Sequence, residues 1–397
     1  MARDDWKEKK SEWKDKNKYN SFNSMKGLAW YDSHYKPIAA WFKGEGKLPP
    51  PIELSLDPTH LCNFLCGHCN AQRYLVINPE EVPKETKLMS KSHLEDLIDC
   101  CSDWGVRAIC IGGGGEPLMN KAAWGLPSYT HKKGMESSFA TNGALINKKI
   151  ADEMMYCRWV GVSVDSGTEK TFERVHGINQ FGRVINNLKL LTKRKEETGS
   201  NIDISYKFLI RPDNWEDLEN AARLAKDIGV QDFHARPADL QRKDLTNKEA
   251  IDYKTLTSAM DLNYNFEKIH EIFSRIKELS DDNFRVFTVM HKYDPSFKVK
   301  HSFKNCVSSS LMLQACADGN VYVCADHRIE DRFKLTSHYP NPEQVIKYWG
   351  SDEHRKLLQS INVDGECGRC TYGEFARQIE ELAIGTKEKD PMCLNFP

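Results

Sequence analysis

From Ile52 to about Asp239 the apolar positions switch repeatedly between two periods. Short, nearly continuous apolar runs at 52–57, 106–113, 137–143, 160–165, 202–210 and 232–237 read as strands. Between them the spacing becomes helical. Over 88–105, Leu94, Leu97, Ile98 and Cys101 share a face, and Gly105 is placed to end the helix. Over 147–157, Ile150, Met154 and Cys157 point inward, and over 181–195 Phe181, Val184, Ile185 and Leu188 lie on one side. The segment 214–229 closes on Gly229. Strands that alternate with helices predict an α/β fold with a six-stranded parallel sheet, open or barrel-like.

The flanks are patterned differently. Residues 1–50 are polar but rich in aromatics, among them Trp6, Trp13, Trp30, Tyr35 and Trp41, and they end at Pro49, Pro50 and Pro51. Disordered tails are poor in aromatics, so this stretch reads as an extension packed on the main domain. Residues 243–279 read as charged linker helix, and 284–290 as a strand. A hairpin follows, with arms 311–316 and 321–324 around Asp318-Gly319. Two short helices, a Cys367–Cys370 pair and a last helix complete the chain. The expected units are therefore 1–50, an extension; 51–240, the sheet domain; 241–300, linker helices and strand; and 301–397, a small α+β unit of hairpin plus helix.

Composition narrows the class. Lys and Arg number 56 against 57 Asp and Glu, which gives no reason to expect nucleic acid or a membrane surface as partner. No apolar run reaches membrane-spanning length, and the N-terminus lacks the apolar stretch of a secretory signal; a cytoplasmic protein is expected. Thirteen cysteines are then unlike a disulfide framework. They sort by spacing instead. Cys62, Cys66 and Cys69 form one group, and Cys306, Cys316, Cys324, Cys367, Cys370 and Cys393 another. Cys100, Cys101, Cys110 and Cys157 fall at core spacing and are assigned no chemistry.

Three thiolates within eight residues, directly after the first strand, can wrap one side of an iron–sulfur cubane. With no fourth cysteine near, one iron is left open for a ligand. The same spacing also suits zinc. The C-x3-C-x2-C pattern resembles the signature of the radical S-adenosylmethionine (SAM) superfamily, found after the first strand of a partial (β/α)6 TIM-type barrel. The resemblance implies a 4Fe–4S cluster on Cys62, Cys66 and Cys69. SAM would bind the open iron and be cleaved reductively to a 5′-deoxyadenosyl radical that abstracts a substrate hydrogen atom. An electron donor such as flavodoxin or ferredoxin is implied as partner. His68 stands where the family usually has an aromatic residue against the adenine. Gly113, Gly114, Gly115, Glu116 and Pro117, ending the second strand, look like the family's GGEP segment, which holds the SAM amino group. Thr141, Asn142 and Gly143 end the third strand beside the cofactor, and Ser163 and Asp165 end the fourth, where relatives contact the ribose.

The C-terminal set, Cys306-x12-Gly319-x4-Cys324 followed by Cys367-x2-Cys370, resembles the SPASM/twitch auxiliary cluster domains of that superfamily. Ala376 stands where the longer SPASM pattern has its next cysteine. The resemblance is therefore to the twitch form, with one auxiliary 4Fe–4S cluster on Cys306, Cys324, Cys367 and Cys370. Cys316 and Cys393 are spare: ligands in a variant arrangement, hydrogen donors or bystanders. A zinc ribbon would use the same four residues. Lys207 and Arg211 on the fifth strand, and His234 and Arg236 on the sixth, are candidates for facing the cavity. Arg236 is suited to pair with the SAM carboxylate, an anionic substrate or a protein carboxylate; Arg73 and Tyr74 are open in the same way. The resemblance implies oxidation, such as dehydrogenation, or another modification of a small molecule, with peptide or protein side-chain epimerisation or crosslinking as the alternative. Residues 1–50 are too short, and wrongly patterned, for a winged-helix leader-binding domain. The rival from another class is a non-catalytic zinc or iron–sulfur scaffold.

Overall fold

The computed structural model describes residues 29–66, 68, 69, 71, 88–238, 265–288, 301, 303–367, 370 and 372–381. Arg73, Tyr74 and Cys393 lie outside these residues, as do 241–264 and 289–300 of the expected linker.

Seven parallel strands run in sequential order: β1 (Glu53–Asp57), β2 (Ala108–Ile111), β3 (Glu136–Thr141), β4 (Trp159–Ser163), β5 (Asp203–Ile210), β6 (Asp232–Pro237) and β7 (Arg285–Thr288). The first six are those read from the sequence. The seventh, expected in the linker region, pairs with β6 and extends the sheet. β8 (Met312–Cys316) adds in parallel to the other side of β1, and β9 (Asn320–Tyr322) and β10 (Lys334–Ser337) follow antiparallel. The C-terminal hairpin is thus continuous with the main sheet, with Asp57 opposite Cys316 in register.

The helices in chain order are α1 (Lys36–Phe42), α2 (Lys91–Trp104), α3 (Leu126–Lys132), α4 (Lys148–Met154), α5 (Glu169–His176), α6 (Phe181–Thr198), α7 (Leu218–Ile228), α8 (Phe266–Lys277), α9 (Glu343–Tyr348), α10 (Asp352–Gln359), α11 (Val363–Glu366) and α12 (Gly373–Ile379). Their ends follow local rules. Ser90, Asn147 and Thr168 accept hydrogen bonds from first-turn amides, and Gly105, Gly177 and Gly229 end their helices in the left-handed conformation.

Alternation along the strands sorts two faces. On β5, Ile204, Tyr206, Phe208 and Ile210 are fully buried, while Asp203, Ser205, Lys207 and Leu209 are half-buried. The first set packs into the helix layer; the second lines the inner face of the curved sheet. At one end of that face Arg285 bridges Asp232 (2.5 Å) and Asp203 (3.2 Å). The opposite end, at the C-termini of the strands, carries the site.

The N-terminal extension needs one correction. Its described part packs on the C-terminal elements: Tyr35 donates to Gln378, Trp41 Nε1 to the Gly350 carbonyl, and Phe42 accepts from Gln359. Trp349 in turn donates to the Pro49 carbonyl. Aromatic content announces burial; it does not name the surface that buries it.

Candidate active site

The loop after β1 carries Cys62, Cys66 and Cys69. It is pinned at several points. Leu61 O accepts the amide of Glu116 (2.8 Å), so the glycine strap 113–116 crosses directly over the loop's start. A side chain at Gly115 would put its Cβ 2.3 Å from Leu61 O, which makes glycine obligatory there. The Leu65 amide donates to His176 O at the end of α5 (3.0 Å). Cys66 Sγ lies 3.0 Å from His176 Nδ1, and His176 Nε2 donates to the Val164 carbonyl (2.9 Å). That second bond puts the ring proton on Nε2 and turns the Nδ1 lone pair to the cysteine. Burial holds His176 down at about 4, although Asp165 pulls the other way.

All three thiols converge. Burial pushes Cys62 up to about 12 and Cys66 well above the ordinary range; negative charge on Cys69 would push both further, and charge on Cys62 would add to the rise at Cys66. Three thiols that must ionise together, in a pocket that resists their ionisation, suit a cationic metal centre.

His68 sits in a relay. Arg211 is clamped by Asp213 (Nε–Oδ1 and Nη2–Oδ2, both 2.9 Å) and donates from Nη1 to His68 Nδ1 at 3.2 Å. His68 Nε2 then faces Asp165 Oδ2 at 3.3 Å. Asp165, in the left-handed region at φ 56°, also accepts the Leu209 amide (2.6 Å). Burial alone would raise its carboxyl, but His68, His176 and that amide outweigh it and hold the group below the usual range.

Glu116 is 2 % exposed. Its carboxylate accepts from Thr141 Oγ1 (2.7 Å), Asn142 N (2.7 Å) and Leu118 N (3.1 Å), while burial lifts it to about 7. It therefore ties the ends of β2 and β3 together. Asn142 Nδ2 reaches Asn63 Oδ1 (2.9 Å) in the cysteine loop. The structure thus brings Cys62, Cys66, Cys69, His68, Gly113–Pro117, Thr141, Asn142 and Asp165 into one connected rim, with Ser163 beside them at the end of β4. Both carboxylates already hold protein donors, a fact that strand-end position alone did not reveal.

Below the rim, Lys207 and Arg236 lie on the inner face of β5 and β6, where Lys207 pairs with His234 and Leu209 with Arg236. Lys207 Nζ stands 4.6 Å over the Trp159 ring. Burial first, then the adjacent Arg236 charge, lower Lys207 to about 8. Cys110 also faces inward: it is opposite Ser138, and Ile109 and Ile111 on either side fill the helix layer. The core role expected for Cys110 is corrected by that strand parity.

The second set gathers from distant segments. Cys306 opens a short 3-10 turn, Cys324 follows β9, Cys367 caps α11, and Cys370 precedes α12. Burial pushes Cys306 up to about 11, Cys367 to about 12, and Cys324 and Cys370 further. After burial, charge on Cys306 would raise all three of the others. Cys316 does not belong to this group; it is fully buried on the inner face of β8 beside Asp57.

Residues 56–225 match the radical SAM superfamily. The chain carries a radical SAM domain. Fe-coproporphyrin III synthase of Methanosarcina barkeri is 31% identical over 193 residues, 48% of this chain and 41% of that protein. Mycofactocin maturase MftC of Mycobacterium ulcerans is 28% identical over 188 residues, 47% of each. The chain thus spans less than half the length of these two curated relatives. The AdoMet-dependent heme synthase of Nitratidesulfovibrio vulgaris is 20% identical over 365 residues, 87% of this chain and 92% of that one. In fold, the chain is similar to Streptococcus suis SuiB bound to S-adenosylmethionine (TM-score 0.60, 16% identity, 87% of this chain and 75% of that one). It is also similar to native anSMEcpe with bound AdoMet (TM-score 0.53, 16% identity, 82% and 88%). The partial-barrel α/β fold class is therefore as read from the sequence. No helix among the described residues is long and apolar enough to cross a membrane.

Proposed function

We propose that this protein is a radical SAM enzyme with one auxiliary 4Fe–4S cluster, acting in the cytoplasm on a small molecule that bears an anionic group. The observation that carries the reading is the loop of three converging thiols held under the glycine strap, at the open end of an inner face lined by Lys207 and Arg236. Cys62, Cys66 and Cys69 would hold the first cluster and leave one iron for SAM. When bound, that pair supplies a 5′-deoxyadenosyl radical that removes a hydrogen atom from substrate. The chain's own residues do the rest. His68, kept in one tautomer by Arg211, presents a flat ring fixed against Asp165. Glu116 ties the ends of β2 and β3 through Thr141 and Asn142, where they would border SAM, and Ser163 would serve its ribose. Cys306, Cys324, Cys367 and Cys370 would hold the auxiliary cluster, which would accept one electron from the substrate radical and so complete a two-electron oxidation. A small electron-transfer protein of flavodoxin or ferredoxin type would reduce the first cluster.

Two relatives named for porphyrin or heme synthesis support a small molecule. The maturase MftC supports the second reading, modification of a peptide side chain. The gathering of Glu116, Thr141, Asn142, His68 and Asp165 around the cysteine loop supports catalysis over a cluster scaffold without it. Anaerobic protein with reductant and SAM should release 5′-deoxyadenosine and contain about eight irons per chain. Iron near four with stoichiometric zinc would make the C-terminal set a zinc site. Absence of SAM cleavage in cluster-replete protein would remove the enzymatic reading altogether.

A further inference from the structure

Outside the two cysteine sets is a third group of donors. Asp57 ends β1 and Cys316 ends β8, paired in register. His60 follows three residues after Asp57. One ligand atom from each of Asp57, His60 and Cys316 falls within 4.8 Å of the other two. The three side chains are 1 %, 2 % and 0 % exposed. Cys316 Sγ is 3.6 Å from Asp57 Oδ2.

We propose that Asp57, His60 and Cys316 bind a mononuclear divalent metal, and that the metal is zinc. Carboxylate, imidazole and thiolate together are a borderline donor set, and zinc accepts all three in a tetrahedral arrangement. Two neighbours complete the shell. Arg328 Nε lies 3.1 Å from Asp57 Oδ2, the placement of an outer partner that orients a ligating carboxylate and offsets its charge. Gln314 is fully buried, with its amide nitrogen 3.6 Å from Cys316 Sγ, and its Oε1 has no hydrogen-bond partner among the described residues. That amide is the natural occupant of the fourth position, directly or through one water. Such a metal would staple the hairpin strand β8 to the root of the loop that carries Cys62, and so join the barrel to the auxiliary unit. It is independent of either cluster: none of its three ligands belongs to the sets 62–66–69 or 306–324–367–370.

The test uses cluster-replete protein incubated with one equivalent of zinc and passed through a desalting column. About one zinc per chain should be retained, and its X-ray absorption should show one sulfur at about 2.3 Å with nitrogen and oxygen at about 2.0–2.1 Å. His60→Ala and Cys316→Ala should each cut retained zinc at least about tenfold with iron unchanged, while Cys110→Ala should retain it. If His60→Ala loses iron or fold, Cys316→Ala decides alone. Wild-type protein that retains no zinc, variants that keep it, or an all-sulfur shell would each overturn the site.

Discussion

The two cysteine sets reach the same apparent end by opposite routes. The first is local: three thiols in one loop of eight residues, secured from outside by His176, Asn142 and the glycine strap. The second is assembled by the fold, since Cys306, Cys324, Cys367 and Cys370 come from a turn, a strand end and two helix ends spread over more than sixty residues. A local loop can lose its metal and leave the barrel standing. An assembled site closes long loops, so its metal contributes to folding. The largest expected effect follows from the first half of this contrast. Replacing Cys62, Cys66 and Cys69 together by Ala should bring 5′-deoxyadenosine to background and iron from about eight to about four per chain, with the unfolding temperature little changed. SAM cleavage by that triple variant would show that the catalytic cluster is elsewhere.

The second half is tested by Cys367→Ala with Cys370→Ala. Iron should again fall to about four, but now the unfolding temperature should drop by about 3–5 °C, as expected for about 3–4 kcal/mol lost from a chain of this size. Equal thermal shifts in the two variants would erase the distinction between a local and an assembled site.

The same contrast explains what the sequence made legible. The first set was readable because its ligands share one loop and its supports end consecutive strands, where period and spacing both speak. His176 was missed because α5 is short and its histidine lies more than a hundred residues from the cysteine it touches; a histidine at a helix C-terminus carries no signal of that pairing. The seventh strand was assigned to a linker because its partner β6 lies some fifty residues upstream. β8 looked like one arm of an isolated hairpin, and nothing in a period-2 run states that its free edge will pair with β1. Cys110 shows the limit of spacing on a parallel strand covered on both sides: its neighbours are apolar, and only strand parity puts it on the inner face.

Between the two sets lies the inner face, where Lys207 and Arg236 stand side by side and Arg236 adds to the burial that lowers Lys207. An anionic substrate there would favour the charged form of Lys207. Arg236→Gln should leave SAM binding intact and lower substrate-dependent turnover about 10–100-fold, the range for losing a charged hydrogen bond. Weaker SAM binding with loss of substrate-independent cleavage would instead assign Arg236 to the SAM carboxylate.

Acid stability again separates the regions. His338, directly after β10, accepts from His93 Nε2 at Nδ1 (2.7 Å) and donates from Nε2 to the Cys316 carbonyl (2.9 Å). Burial first, then the neighbouring His93, lower it to about 4. On α10, His354 packs among Trp41, Tyr348 and Trp349, and burial lowers it to about 3. Both are neutral in the folded chain. Below pH 6.5 the unfolded chain takes up protons at these positions that the folded chain refuses. Their contribution to stability is thus complete above pH 6.5 and is lost as pH falls towards 4 and 3. At pH 5 a single such histidine costs about 2 kcal/mol. Urea midpoints of wild type and His338→Gln should therefore converge as pH falls from 7 to 5, because the variant lacks one proton-linked penalty. Parallel pH profiles for the two proteins would mean that His338 titrates normally and that the joint between the hairpin and α2 is not the acid-sensitive element.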